Sequence, residues 1–260
     1  MSENPQTPLA YARGPFNPVS PGAHSAPHPA MKIIKIALLA SLALAPCLAS
    51  RAATPAQNWL ETYYMNPRPD ALPRMVQELS YQGYFDQAGH SAVAIGFLST
   101  VFQQNPDRVP GWVAALGRLP LAHQRLVAAA LWQAGNPLGA KMIHQLAGGS
   151  PVRAEMERLA ATTSTPVAAT PVVSPSSMNL QWGAFLASGS ERNIVAILNA
   201  IGTGQPGLDD AARYSLAQNA AAHPRVMEIC RAQLGNESSA TQAVVRAALQ
   251  DASTRSGSGS

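Results

Sequence analysis

The chain has 260 residues, 47% of them hydrophobic and 12% charged, with two cysteines and a formal net charge of +4. So little charge excludes a coiled coil and an acidic disordered chain, and two cysteines cannot frame a disulfide scaffold. The first 52 residues hold four bases (Arg13, Lys32, Lys35, Arg51) and one acid (Glu3), which leaves 14 bases against 13 acids beyond them. That near-neutral remainder lacks the basic footprint that phosphate backbones demand, so nucleic acid is excluded as a partner.

Residues 1–30 are rich in Pro, Ser, Ala and Gly without apolar periodicity, and read as a disordered leader or a gene-model extension. The start is then Met1 or Met31. Residues 31–52 pair Lys32 and Lys35 with an apolar run over 36–45 and the small residues Ala49, Ser50 and Ala52. This is the layout of a secretory signal peptide cut after Ala52 or Ala49. The run is shorter than the roughly 20 residues a membrane span needs. A periplasmic or secreted protein with no transmembrane span after cleavage is expected. Cys47 sits behind the apolar run and raises lipidation as an alternative. With the signal removed only Cys230 remains, so the fold must stand on packing alone.

From residue 55 to 252 apolar residues recur at helical spacing. Leu72, Met75, Val76 and Leu79 form one stripe; Ala94, Phe97, Leu98, Val101 and Phe102 form the next; Val127, Ala130, Leu131 and Ala134 form a third. Ile194, Ile197, Leu198 and Ile201 continue the pattern, followed by Val226, Ile229, Cys230 and Leu234. No run alternates with period two. The expected fold class is all-α, an array of short antiparallel helices.

Asn66-Pro67, Asn105-Pro106, Asn136-Pro137 and His223-Pro224 each place a polar side chain before a proline, the order expected at a helix start. Ser188 with Glu191 fits a capping box. Gly83, Gly117, Gly135, Gly148 and Gly235 follow stripes, where left-handed caps are expected. Residues 161–178 carry prolines, Ser and Thr and no charge, and read as an extended linker between helical units at 55–160 and 179–252. Residues 253–260 read as a disordered tail.

The two units are spaced like copies. Phe97 and Phe185 are 88 apart, Pro137 and Pro224 are 87 apart, and Arg158 and Arg246 are 88 apart. Shared amphipathicity is the alternative cause. The stretches AIGFLSTVFQQNPDRVPGWV, LQWGAFLASGSERNIVAILNAI and AARYSLAQNAAAHPRVMEICR resemble uncharacterised exported α-helical proteins of proteobacteria. In outline, residues 55–252 are also similar to tetratricopeptide- or HEAT-type repeats of the α-solenoid class, although the 34-residue tetratricopeptide spacing is not met. The resemblance implies a helical array and brings no catalytic residues with it.

Chemical motifs are few. GxSxG, HExxH and Walker patterns are missing. His90, His123, His144 and His223 have no His or Cys three or four residues away, so no metal site, cofactor or catalytic residue is assigned. His223 reads as a cap and His144 as exposed. Glu155 with Glu157, and Asp209 with Asp210, diverge around their helices; the aspartates suit a helix start. Cys230 lies on an apolar stripe and reads as a packing residue. Trp59, Tyr63, Tyr64, Tyr81, Tyr84 and Phe85 read as fillers between alanine-lined helices, with a recognition surface as the alternative.

The leading expectation is an exported, non-catalytic helical-repeat protein that binds a protein or an envelope component. The first rival is a cell-envelope hydrolase with an acid at Glu61, Glu78 or Glu155, favoured if a pocket sets one of them beside aromatics. The second is a lipid-anchored assembly factor.

Overall fold

Thr54 opens the first helix with both halves of a capping box. Its Oγ1 accepts from the Gln57 amide at 3.3 Å, and its own amide donates to Gln57 Oε1 at 3.0 Å. In this computed structural model, which describes residues 53–135 and 137–257, that helix is α1 (Pro55–Thr62). It is followed by α2 (Leu72–Tyr81), α3 (His90–Gln104), α4 (Val109–Leu116), α5 (Leu121–Gln133), α6 (Pro137–Ala147) and α7 (Arg153–Ala160). Then come α8 (Pro175–Ser188), α9 (Glu191–Leu198), α10 (Leu208–Ala222), α11 (Pro224–Gln233) and α12 (Ser239–Gly257). Short 3₁₀ turns fill several connections, and no strand occurs among the described residues. The chain is all-α, as its periodicity predicts. The signal-like segment, Cys47 and the Asn136 cap lie outside the described residues.

The five apolar stripes point inward. Every residue in them is buried except Leu234, which packs against the core from its edge. Cys230 is fully buried, and burial pushes its thiol up to about 12. Prolines open α1, α6, α8 and α11, where the missing amide is harmless.

Local punctuation departs from expectation in several places. Asn66-Pro67 starts no helix; Asn66 ends a 3₁₀ turn, and the next begins at Pro69. Asn105 turns its Nδ2 back onto the Val101 carbonyl at 2.9 Å instead of capping forward. Ser188 is the last residue of α8, so Ser190 precedes α9 and no capping box forms there. The working box is Ser174 with Ser177, which launches α8. Gly83 and Gly135 adopt positive φ as expected, whereas Gly117, Gly148 and Gly235 are not among the positive-φ glycines.

The stretch 161–178 is no free tether. It contains a 3₁₀ turn at Val167–Ala169 and the start of α8, and it buries Val167 and Val172. Gln181, 1% exposed, donates to the Val167 carbonyl (2.9 Å) and the Thr170 carbonyl (3.1 Å), and accepts from Asn193 Nδ2 (2.9 Å). An uncharged, valine-bearing segment loses little by lying on apolar surface, and its carbonyls are satisfied there. The described residues belong to one compact unit, so the expected division into two independent units does not describe them. The tail is corrected as well. Helix α12 runs to Gly257, with Ser253 and Thr254 bonded back into the helix and Arg255 stacked over Tyr214 at 5.6 Å.

The most extensive helix contact joins α3 and α8, which are far apart in sequence. In a linear solenoid each repeat meets only its neighbours, so this pairing sets the molecule apart from a plain row of hairpins. Two glycines make the contact possible. A Cβ on Gly96 would be driven into the Leu180 carbonyl, and a Cβ on Gly183 into the Val93 carbonyl. Gly96 and Gly183 are 87 residues apart, and so are Val93 and Leu180. The two close approaches are thus related by one sequence offset. An offset of 87 makes Leu98 the sequence counterpart of Phe185, where the expected Phe97–Phe185 correspondence uses 88.

Candidate functional site

Side chains from five segments converge on a cleft of about 340 Å³. Glu61 enters from the last turn of α1, Tyr84 from the 3₁₀ turn at Tyr84–Asp86, and His90 from the first turn of α3. Asn179, Trp182 and Leu186 line it from α8 at the spacing of one helical face. Ser215, Gln218, Asn219 and Ala222 do so from α10 with the same periodicity. His223 closes the set where α10 breaks into α11. The Gly96–Gly183 contact holds α3 and α8 backbone to backbone, and the cleft lies beside it along the N-terminal half of α3.

The electrostatics follow from burial. Glu61 stands at the mouth with its side chain open to solvent, yet the protein crowded around it raises its carboxyl above the usual range. Burial pushes the Tyr84 hydroxyl up to about 12, with the Glu61 charge adding to the effect. His90 stacks on Tyr84 at 4.3 Å between ring centroids. Burial lowers its pKa, and the nearby Tyr84 backbone opposes the shift. His223 is 5% exposed, and burial lowers its pKa too. It makes no capping bond; its Nδ1 lies 3.5 Å from the Tyr64 hydroxyl, and its ring meets Tyr64 and Phe185. The cap expected there is replaced by a buried aromatic contact.

Some polar groups in this cleft have nothing to bond. His90 Nδ1 and Trp182 Nε1 are buried without a partner among the described residues. Among them the Glu61 side chain takes part in neither a hydrogen bond nor an ion pair. A second groove, of about 260 Å³, flanks the C-terminal halves of α3 and α8 and behaves differently. Gln103 donates to the Ala134 carbonyl (3.3 Å), Arg192 to the Ala168 carbonyl (3.3 Å) and Asn193 to Gln181 (2.9 Å). A third, of about 290 Å³, lies beside Trp59, Arg68 and Arg74, both arginines being exposed at its rim.

Of the three acids considered as catalytic, only Glu61 reaches a cleft with aromatics. Glu78 is exposed and accepts from Gln82 (2.6 Å), and Glu155 pairs with Arg125 (2.9 Å) on the surface. Glu157 is bound to Arg153, and Asp209 and Asp210 occupy the first turn of α10 as the dipole favours. His144 is exposed, and His123 is held between Ser80 and Asp86. Among the described residues no three His, Cys, Asp or Glu groups come together as metal ligands. No helix among them is long and apolar enough to cross a membrane.

Most of the early aromatics are packing residues, with Trp59, Tyr63 and Phe97 locked edge to face in the core; Tyr81 alone of that group is largely exposed. Sequence reasoning missed Asn179, Trp182, Ser215 and Asn219 as a set. Their signal was polar residues at helical spacing on faces flanked by alanine. No protein-family model, no curated protein and no solved structure matches the chain.

Proposed function

We propose that this is an exported binding protein, built from two copies of a helical unit, whose cleft beside the α3–α8 crossing captures a small polar group of an envelope partner. The observation that carries the reading is two buried side-chain nitrogens without partners, His90 Nδ1 and Trp182 Nε1, within one cleft. Buried polar groups are ordinarily satisfied, and those left open point to a ligand or an ordered water. Duplication is supported by order and pairing. Helices α5 and α10 begin 87 residues apart, as do α6 and α11. Helix α5 packs on α3 as α10 packs on α8, and α6 meets α4 as α11 meets α9. Export rests on the signal-like series from Lys32 to Ala52.

The test is affinity capture from a native envelope fraction with the intact chain and with Ser215→Trp, which fills the cleft. A partner retained by the former and lost by the latter supports the reading; equal retention removes it.

A second reading keeps the hydrolase, because Glu61 is a carboxyl raised by burial in a cleft with Tyr84 and Trp182. Release of soluble fragments from purified envelope, abolished by Glu61→Gln, is its required outcome.

A further inference from the structure

The cleft wall carries free side-chain carbonyls and one carboxylate, with the Trp182 Nε1–H and the second amide N–H of each asparagine as its donors. Asn179 spends its amide N–H on the Gly89 carbonyl (3.4 Å), and Asn219 spends its own on the Ser215 carbonyl (2.8 Å). Bonds to carbonyl oxygens fix which end of each amide is nitrogen, so each side chain keeps Oδ1 as an acceptor with no donor from the described residues. Gln218 pairs its side-chain amide with the Tyr214 hydroxyl (2.8 Å). The Ser215 hydroxyl donates to the Ala212 carbonyl (3.1 Å). Glu61 adds two more oxygens and the one full charge of the lining, since no Lys or Arg reaches this cleft.

An anion finds no counter-charge here. A neutral polyol finds both acceptors and donors, yet nothing in it answers the Glu61 charge. A primary ammonium carries three donors, no acceptor and one positive charge. It complements a wall of carbonyl and carboxylate oxygens, and the aromatic residues Tyr84 and Trp182 around it favour cations over anions.

We propose that the cleft binds a primary ammonium group, with Glu61 as its counter-charge and the side-chain carbonyls of Asn179 and Asn219 as its acceptors. This rests on the reading of the cleft as the binding site. The ammonium belongs either to a free alkylamine or to a lysine side chain of a peptide, two sources of one chemistry.

Titration calorimetry on the full chain decides it, with cadaverine, Nα-acetyl-lysine amide, a chitooligosaccharide and glutarate as probes. The expected result is saturable binding of an amine and none of glutarate. Glu61→Gln weakens amine binding at least tenfold, while Glu78→Gln, outside the cleft, leaves it unchanged. Cadaverine alone identifies a free amine as the source, and binding of the lysine amide identifies a peptide. Failure of both amines to bind, or equal affinity in Glu61→Gln, overturns the assignment. If the oligosaccharide binds instead and Ser215→Trp abolishes it, the ammonium assignment falls while the cleft remains a binding site. If Ser215→Trp leaves envelope capture untouched, the cleft itself is the wrong site.

Discussion

The two clefts flanking the α3–α8 crossing are built from the same pair of helices, yet they spend their polar groups in opposite ways. On one side Gln103, Arg192 and Asn193 are turned onto the protein's own backbone and side chains. On the other, the buried His90 Nδ1 and Trp182 Nε1 are left open. Size does not separate the two, at about 260 and 340 Å³. What separates them is whether the chain has already answered its own donors and acceptors. A polar groove satisfied from within acts as a structural seam, and one left unsatisfied carries a standing cost that a ligand can relieve.

The comparison breaks if the crossing that defines both clefts is opened. Gly96→Ala or Gly183→Ala forces a methyl into a backbone carbonyl of the facing helix, where no flexible side chain can yield. A loss of about 3 kcal/mol or more is expected from such overpacking. Chemical denaturation reads it directly. If either variant stays within about 1 kcal/mol of the parent, the close approach of α3 and α8 is wrong.

The satisfied side should be the costlier to disturb. Gln181→Leu strands two carbonyls and the Asn193 amide in a buried setting, so a loss of about 2–3 kcal/mol is expected. Asn219→Ala on the open side removes one bond within its own helix and should cost under about 1 kcal/mol. Equal costs for the two would erase the distinction between seam and site.

These contrasts also mark how far sequence reading reaches. The stripes from Leu72 to Cys230 are decided by local period, because burying an amphipathic face requires that spacing whatever the neighbour. Their outcome agrees residue by residue with the observed core. The linker misread is different in kind. Proline, serine and threonine do signal extended chain, but composition cannot show that Val167 and Val172 find a surface to lie on. His223 before Pro224 fits a cap locally; its ring instead meets Tyr64, 159 residues away, through tertiary packing alone. The cleft was half legible. Glu61 was one of three candidate acids with Glu78 and Glu155, whereas Asn179 and Asn219 became visible only once α8 and α10 were brought together.

Acidification should weaken the open side and sharpen the contrast further. Burial lowers the pKa of His223 and of His90, so the unfolded chain binds these protons more readily than the folded one. Stability is then intact above the ordinary histidine value of 6.5 and falls as pH drops below it. The fall is expected to be smaller than either substitution effect above. Melting temperature measured from pH 7.5 to 5.5 in the parent and in His223→Gln checks the sign: the parent should lose more. A parent that gains stability on acidification would mean that the histidines are charged in the fold.

The smallest stability effect is expected at the residue whose effect on binding is largest. The Glu61 side chain makes no ion pair or hydrogen bond among the described residues, so Glu61→Gln removes no internal partner. Because burial raises the carboxyl, its charge weighs slightly against the fold above the ordinary value of 4.5, and that penalty vanishes as the group is protonated at lower pH. The amide should therefore be neutral or marginally more stable near pH 7, within about 0.5 kcal/mol, since solvent at the mouth screens most of the effect. Denaturation of the two forms side by side at pH 7 and pH 4 is the measurement, and the difference should shrink at the lower pH. A residue held for the fold would behave in the reverse way, losing stability when replaced. A carboxylate that the fold tolerates at a small cost, and that ligand capture depends on, is what separates a binding group from a structural one.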